Sequence, residues 1–187
     1  MKQRTTYSAI ATGGAIGLIA SFLEVVEYQQ VLKNAHTTLT CDLNSVFNCS
    51  PVLTAWQGKL FGFPNAMLCM IFFTLMLGTA LAGLTGGTLV RKFRLSLQGI
   101  ALFFLGFALW FFWESIYRIG ALCILCIFCL FGLLLLNWGW MRINAADLPI
   151  GAKARSVVQR GIKTGADTFV WIVLGMVVAF AMLLRFY

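Results

Sequence analysis

The chain has 187 residues, of which 60% are hydrophobic and only 11% are charged. Soluble domains are about 45–50% apolar and about 25% charged, so a soluble core of this size would leave much apolar surface in water. This composition excludes an ordinary soluble domain, a disordered chain and a coiled coil, and it indicates that lipid surrounds most of the protein. The net charge of +8 suggests a nucleic-acid partner only if the basic residues share one face.

Five apolar segments are long enough to cross a bilayer as helices, which requires about 20 residues and tolerates about 17. They are apolar on all sides, and a helix satisfies its own backbone groups inside lipid. We therefore predict an all-α membrane protein with a four-helix transmembrane bundle and a fifth transmembrane helix, which is short enough to lie at the periphery. The predicted helices span about 8–28, 65–83, 97–117, 121–141 and 168–186.

The first helix has some features of a secretory signal peptide. Lys2 and Arg4 resemble its positively charged start, but Glu24 and Glu27 stand where a small-residue cleavage site is expected. We therefore predict that this helix is an uncleaved membrane anchor.

The distribution of Lys and Arg predicts the orientation, because these residues concentrate in cytoplasmic loops. With the N-terminus in the cytoplasm, ten of the 14 Lys and Arg residues lie inside and four lie outside. We therefore predict a multi-pass protein of the inner or plasma membrane, with the loop 29–64 and the C-terminus outside the cytoplasm. The positive charge is thus a topology signal, and no nucleic-acid partner is expected. The basic segment 153–163 is expected to be solvated, with contact to anionic lipid as the alternative.

Four of the six cysteines fall on the outer side in this topology. Cys123 and Cys126 form a CxxC at the start of the fourth helix, where positions i and i+3 share one face. A helix N-terminus also favours the thiolate that attacks disulfides. A CxxC by itself is equally compatible with half of a metal site or with two buried thiols.

Cys41 and Cys49 lie in the long outer loop, in a compartment that permits disulfides. Alone, this pair is compatible with a structural disulfide. A closed zinc site formed by all four cysteines would leave the flanking polar and aromatic residues without a purpose. We therefore expect no metal and favour a redox relay, in which the two pairs face each other. The sole histidine, His36, is expected to be a solvated loop residue.

A short helix is predicted directly after Cys49. Ser50 is a suitable N-cap and Pro51 a suitable first helical residue. Val52, Leu53 and Trp56 would then form one apolar face of a lid helix that lies across the top of the bundle.

These residues together resemble the vitamin K epoxide reductase (VKOR) family, over about residues 8–141. The resemblance is carried by Cys41-Asp42, Cys49-Ser50 eight residues later, Trp56, the run Phe61-Gly62-Phe63-Pro64-Asn65, and the CxxC that opens the fourth helix.

The resemblance implies a four-helix catalytic core over 1–141, followed by a cytoplasmic basic linker over 142–167 and the fifth helix over 168–187. Family members bind a quinone, of the ubiquinone or menaquinone type, among the four helices. Bacterial members resemble DsbB-type enzymes, which oxidise a thioredoxin-fold partner. Since no such domain follows the fifth helix in this sequence, a separate DsbA-like partner is expected.

The resemblance also implies a role for each cysteine. Cys41 exchanges with the partner, Cys49 attacks the CxxC disulfide through Cys123, and Cys126 reacts with the quinone. Because a disulfide requires Cα atoms within about 7 Å, we expect a mobile loop that swings Cys49 between its two partners. Asn65 is expected to hydrogen-bond a quinone carbonyl, since a buried amide needs a partner; a helix cap after Pro64 is the alternative.

Apolar residues are expected to line most of a quinone site, and Trp56 and Phe63 are candidates, as are Trp110 and Phe111. Leu130 stands where some family members have a Tyr that donates to the quinone. Two further cysteines, Cys69 and Cys129, are expected to be inert.

Glu114 lies four residues before Arg118, so we expect a salt pair between them, with a proton donor for the quinone as the alternative.

The leading functional hypothesis is a quinone-dependent thiol oxidase of the membrane. A quinone or epoxide reductase that runs in the other direction is the first alternative, because the direction depends on the potentials of the partners. A noncatalytic membrane protein with structural cysteines is the second.

Overall fold

The computed structural model describes residues 2–34 and 37–186, so His36 and Tyr187 lie outside the described part. Five of its helices are long and apolar enough to cross a membrane, and the described residues form no β-strand. The prediction of an all-α, five-helix membrane protein with a short loop helix is confirmed. The helices are α1 (Lys2–Lys33), α2 (Cys49–Thr54), α3 (Asn65–Leu84), α4 (Arg91–Glu114), α5 (Ile124–Asn144), α6 (Ala152–Thr164) and α7 (Ala166–Phe186).

Two of the long helices extend beyond the ranges that were predicted from their apolar segments. α1 continues to Lys33 and α4 begins at Arg91, because long basic side chains at helix ends reach the aqueous boundary. After Glu114, α4 continues as a π-helical turn, Ser115–Ile119. Gly120 ends this turn with φ 76°, a left-handed conformation that glycine adopts without a steric penalty.

α1 lies at the centre of the bundle and packs most extensively against α5 and α3. Small residues allow the close approach: a Cβ added at Gly132 would lie 2.7 Å from the Gly13 carbonyl oxygen, and one at Gly13 would lie 2.8 Å from that of Gly132. A Cβ at Gly17 would lie 2.2 Å from the Phe73 ring. Membrane helices associate through such small-residue contacts because lipid offers no hydrophobic driving force.

Buried amides connect α5 to α4 at the end of the bundle away from the cysteines. Asn137 Nδ2 donates to the Ala101 carbonyl at 3.0 Å, and Asn144 Nδ2 donates to Gln98 Oε1 at 2.9 Å. Such interhelical bonds each contribute about 0.6 kcal/mol in membranes, and they also fix the register of the two helices.

α7 lies at the periphery of the bundle, as its length predicted. Its start is attached to α5 by Arg142, which donates to both Asp167 carboxylate oxygens at 2.5 and 2.8 Å. None of its most apolar 18-residue window is buried within the protein. The linker before it contains the amphipathic helix α6, which has no buried residue and which the sequence did not predict.

We expect Gly132→Ala to destabilise the bundle, because its methyl group would meet backbone rather than a flexible side chain. Overpacking of this kind costs about 1–3 kcal/mol. Thermal unfolding of the purified protein in detergent measures the effect. Gly106→Ala is the matched control, since no atom lies within 4 Å of its added Cβ. Equal melting temperatures for the two variants would contradict the close approach of α1 and α5.

Candidate functional site

A short stretch of parallel backbone pairing joins the outer loop to the residue before the CxxC. Leu122 N donates to the Val46 carbonyl at 2.8 Å, and Asn48 N donates to the Leu122 carbonyl at 2.9 Å. Cys49 and Cys123 are the next residues on the two segments. The pairing therefore places these two cysteines side by side.

All four predicted cysteines meet at this point. Cys41 and Cys49 form a disulfide, and Cys49 Sγ lies 3.0 Å from Cys123 Sγ. Cys123 and Cys126 are free thiols, so the outer pair is oxidised and the inner pair is reduced. The expected swing of Cys49 is not needed, because the parallel pairing lets one position of Cys49 bond to Cys41 and contact Cys123.

The CxxC spans the boundary of α5 rather than lying wholly inside it. Cys123 is the N-cap residue with extended backbone, φ −89° and ψ 119°, and Cys126 lies in the first helical turn. Cys123 is buried, and Cys126 is half-buried.

Asp42 organises the loop around the disulfide. Its Oδ1 accepts from Cys49 N at 2.8 Å and Ser50 N at 3.1 Å, and its Oδ2 accepts from Leu39 N at 3.0 Å and Ser50 Oγ at 2.6 Å. Partial burial alone would raise the pKa of Asp42, but these hydrogen bonds outweigh it and lower the pKa below its usual value.

The predicted cap of the lid helix is wrong by two residues. α2 begins at Cys49, and its N-cap is Asn48, whose Oδ1 accepts from Ser50 N at 3.2 Å. Ser50 is not the cap because Asp42 engages its hydroxyl group. The apolar face consists of the buried Val52 and Leu53, while Trp56 follows the end of the helix and is 63% exposed.

A narrow cavity lies beneath the sulfur atoms, between α1, α3, α4 and α5. Its wall is apolar except for Glu24, Asn65, Ser115 and a group of thiols. It holds about 60 Å³, whereas ligand pockets begin near 300 Å³. The cavity as it stands is therefore smaller than an ordinary ligand pocket, and aromatic side chains of α4 occupy part of its wall. The thiols are those of Cys69, Cys123, Cys126 and Cys129.

Asn65 connects this cavity to the segment that follows α2. Its Nδ2 donates to the Gln57 carbonyl at 2.6 Å, and its Oδ1 accepts from Leu60 N at 3.3 Å. Gln57 Nε2 in turn donates to Glu114 Oε2 at 3.0 Å. Asn65 is the first residue of α3. Its amide binds residues 55–64, which join α2 to α3 and form the lid segment, instead of capping its own helix.

The expected Glu114–Arg118 salt pair is wrong. Glu114 is buried with Gln57 as its partner, whereas the Arg118 guanidinium lies 6.0 Å from the centre of the Trp113 ring. The π-helical turn between the two residues changes the spacing on which the prediction relied.

A family model described as the vitamin K epoxide reductase family matches residues 8–138. The chain belongs to the vitamin K epoxide reductase family. Among curated proteins no match to this chain is found. Membership makes the protein a membrane redox enzyme that uses cysteines. The matched region includes all four site cysteines and the cavity, and it leaves α6 and α7 outside.

Leu130 lines the cavity of this VKOR protein, as do Cys69 and Cys129, the two cysteines that were expected to be inert. Leu130 is buried in the wall, so the position of the family's Tyr faces the cavity but supplies no hydrogen-bond donor here. Cys69 and Cys129 also lie in the wall, as do Cys123 and Cys126.

The structure places three of the four quinone-lining candidates, Trp56, Phe63 and Trp110, outside the cavity wall. Trp56 and Phe63 are 63% and 40% exposed. Phe111, in contrast, does line the cavity. Trp56 belongs instead to an aromatic row, with its ring centre 6.4 Å from that of Trp110 on α4.

Glu24 is a residue at this site that the sequence did not predict. It is 5% exposed, lines the cavity, and has its Oε1 4.0 Å from Cys123 Sγ. A carboxylate in an apolar transmembrane segment is a sign of function. The sequence contains that signal, since Glu24 directly follows the apolar stretch of the first helix.

We expect Asp42→Asn to loosen the loop that carries the disulfide. Because the folded pKa of Asp42 is lowered, its carboxylate stabilises the loop at neutral pH, and this contribution is lost as the pH falls below about 4. Reduction of the Cys41–Cys49 disulfide by a water-soluble phosphine measures the loosening. The variant should react about tenfold faster at pH 7, corresponding to ~1.4 kcal/mol of charge-assisted hydrogen bonding.

Two comparisons complete that test. At a pH below the lowered pKa, the wild type should approach the rate of the variant, because the carboxylate is then protonated. Asp147→Asn removes a carboxylate that pairs with Arg94 far from the loop, and it should leave the rate unchanged. A wild-type rate for Asp42→Asn at pH 7 would show that the carboxylate does not hold the loop.

Proposed function

We propose that this protein is a thiol oxidase that re-oxidises a thioredoxin-fold, DsbA-like protein outside the cytoplasm and passes the electrons to a quinone of the ubiquinone or menaquinone type. Its role is then to support disulfide formation in exported proteins. The observation that carries the proposal is the position of Cys49, which is bonded to Cys41 and lies 3.0 Å from Cys123 Sγ.

The first exchange takes place at the outer pair. One thiolate of the partner attacks Cys41, which breaks the Cys41–Cys49 bond and releases Cys49 as a thiolate. The second partner thiol then displaces Cys41, so the partner leaves with a disulfide and the outer pair holds two electrons and two protons more.

The second exchange moves those electrons inward. When the inner pair is a disulfide, the Cys49 thiolate attacks Cys123, forms a Cys49–Cys123 bond and releases Cys126. Cys41 then attacks Cys49, which restores the outer disulfide and leaves the inner pair as a dithiol. This is the distribution of one disulfide and two thiols that the structure contains.

Access to Cys41 requires the loop to open, because this residue is 5% exposed. Leu43, two residues away, is 62% exposed and offers an apolar contact for the partner. We infer that partner binding at Leu43 opens the loop and exposes Cys41. The sequence predicted a loop motion that swings Cys49. We instead assign the loop motion to the exchange with the partner protein at Cys41.

The inner dithiol lies at the cavity in which we propose that a quinone binds. A bound quinone supplies an acceptor for two electrons and two protons. Cys126 lies in the cavity wall, and the Asn65 amide uses one of its two N–H groups for Gln57. The other N–H supports the proposed hydrogen bond to a quinone carbonyl.

An aromatic row supports an approach route from lipid to this cavity. Its ring centres lie 5.5–6.4 Å apart, and Phe107, in the middle of the row, also lines the cavity. Trp56 and Phe63 form its two ends, so we assign them to the route rather than to the cavity wall. The row runs through Trp56, Trp110, Phe107, Phe61 and Phe63.

The positions of basic residues support the orientation in the inner or plasma membrane. Arg94 and Arg142 lie at the end of the bundle opposite to the cysteines, where α4 begins and α5 ends. With this end in the cytoplasm, the site and the C-terminus lie outside it.

Quinone reduction by the purified protein, with a reduced thioredoxin-fold protein as the electron donor, tests the proposed function. Cys41→Ser should abolish this turnover but spare quinone reduction by a small membrane-permeant dithiol, which reaches Cys123 and Cys126 directly. An equal loss with both donors would contradict the proposed order, in which electrons pass from the outer cysteine pair to the inner pair. No quinone reduction by the wild type with either donor would contradict the thiol oxidase itself.

A trapped intermediate tests the step between the two pairs. Cys41→Ala and Cys126→Ala each remove a thiol that resolves the mixed disulfide, so each should accumulate a Cys49–Cys123 bond under oxidising conditions. Mass spectrometry of a digest detects it as a crosslinked peptide, and the double variant should give the highest yield. Adding Cys49→Ala should remove the species. If the folded variants do not form this crosslink, the Cys41–Cys49 disulfide has only a structural role.

A further inference from the structure

The thiol relay described so far does not use the Glu24 carboxylate. The carboxylate oxygen of this residue and the Sγ atoms of Cys123 and Cys126 all lie within 4.8 Å of one another. Glu24 is 5% exposed and lies on α1, the helix that faces the CxxC across the cavity. Both thiols of the inner pair are therefore within reach of a single carboxylate.

The neighbours of Glu24 are acids rather than bases. The titratable groups that face it are the thiols of Cys69 on α3 and of Cys123, Cys126 and Cys129 at α5. None of the ion pairs among the described residues includes Glu24. A buried carboxylate that no cation neutralises is costly. Its close contact with reactive thiols suggests that it exchanges protons with them.

A second buried carboxylate lies one turn further out on the same face of α1. Glu27 is 5% exposed, and one of its oxygens accepts a hydrogen bond from the hydroxyl group of Thr40. Its other oxygen, Oε2, has no hydrogen-bond partner among the described residues. Thr40 is exposed and precedes Cys41 in the outer loop. The two carboxylates are thus three residues apart on α1, with Glu27 bonded to the loop and Glu24 next to the inner thiols.

We propose that Glu24 is the acid–base catalyst of the inner cysteine pair and that Glu27 connects it to water at the loop. The inference rests on the proposed function and adds the path of the protons to it. Positioned acid–base groups of this kind contribute about 10²–10⁴-fold to a rate.

The protons balance over one turnover. The partner's two thiol protons pass to Cys41 and Cys49, and they leave to water outside when the Cys41–Cys49 disulfide re-forms. During the inner exchange, the Cys123–Cys126 bond breaks, and Glu24 protonates Cys126 and later Cys123 with protons that return through Glu27. Re-oxidation of the inner pair breaks two S–H bonds and forms one S–S bond, and Glu24 passes the two protons to the quinone, which takes the two electrons.

A quinone-free experiment tests the role of Glu24. The oxidised protein is mixed with a membrane-permeant dithiol, and new thiols at Cys123 and Cys126 are counted by quenched labelling and mass spectrometry. The rate per reagent thiolate should fall as the pH rises through the titration of Glu24. Glu24→Gln should be slower on the order of 100-fold at low pH and should lose this fall. Glu24→Asp should retain the fall, with a smaller loss of rate.

Infrared spectroscopy gives a readout that is independent of any rate. The difference spectrum between the disulfide and dithiol states of the quinone-free protein should contain a carboxyl C=O band. This band should be absent from Glu24→Gln and present in Glu114→Gln, which changes a carboxylate that is equally buried but bonded to Gln57.

The outcomes separate this inference from the proposed function. If Glu24→Gln keeps the wild-type pH dependence, or if the wild type shows no carboxyl band, the acid–base role is overturned even when quinone reduction is normal. If the wild type reduces no quinone but both quinone-free signals appear as expected, the acid–base role stands and the proposed acceptor is wrong. Glu27→Gln should slow re-protonation without removing the Glu24 band, and an unchanged rate would overturn the connection to water.

Discussion

Two backbone hydrogen bonds, between the segment 46–48 and Leu122, are the constraint on which the site depends. They join a loop that follows α1 to a segment that precedes α5, and they act in parallel register. Since Cys49 and Cys123 each come next along the chain, the sulfur contact of 3.0 Å follows from this pairing. Asp42 then holds the remaining loop against Cys49 and Ser50, so the same set of hydrogen bonds positions the disulfide next to the CxxC.

The position of Glu24 follows from a second register, that of α1 against α5. Gly13 meets Gly132, the Gly17 carbonyl lies 3.8 Å from Cys129 Sγ, and Glu24 lies 4.0 Å from Cys123 Sγ. The residue numbers rise along α1 as they fall along α5, which is the pattern of two antiparallel helices in close contact. The glycines that allow this approach therefore also determine which side chain of α1 faces the reactive thiols.

Sequence reasoning succeeded where the relevant information was local or carried by a recognisable motif. Apolar length predicted the five membrane helices, and the cysteine spacing predicted which four thiols meet. It failed where distant segments decide the outcome. Glu114 is four residues from Arg118, but Gln57 of the lid segment is its partner. Ser50 is a good N-cap by type, but the loop residue Asp42 engages its hydroxyl group. The contact of Glu24 with the CxxC likewise depends on helix packing.

Burial of the inner cysteines creates a need for a nearby proton donor, which the thiols alone do not supply. Cys123 is buried in one apolar cluster with the lid residues Val52 and Leu53, and aromatic side chains of α4 line the cavity beside it. Such apolar surroundings limit the access of water to the dithiol. The same exclusion of water removes the usual source of protons for a leaving thiolate, whose charge is costly in such surroundings. Under the proposed function, reduction of a quinone adds a need for two protons at the same place. A site that is dry enough to be selective must therefore carry its own proton donor, and Glu24 is the carboxylate closest to both demands.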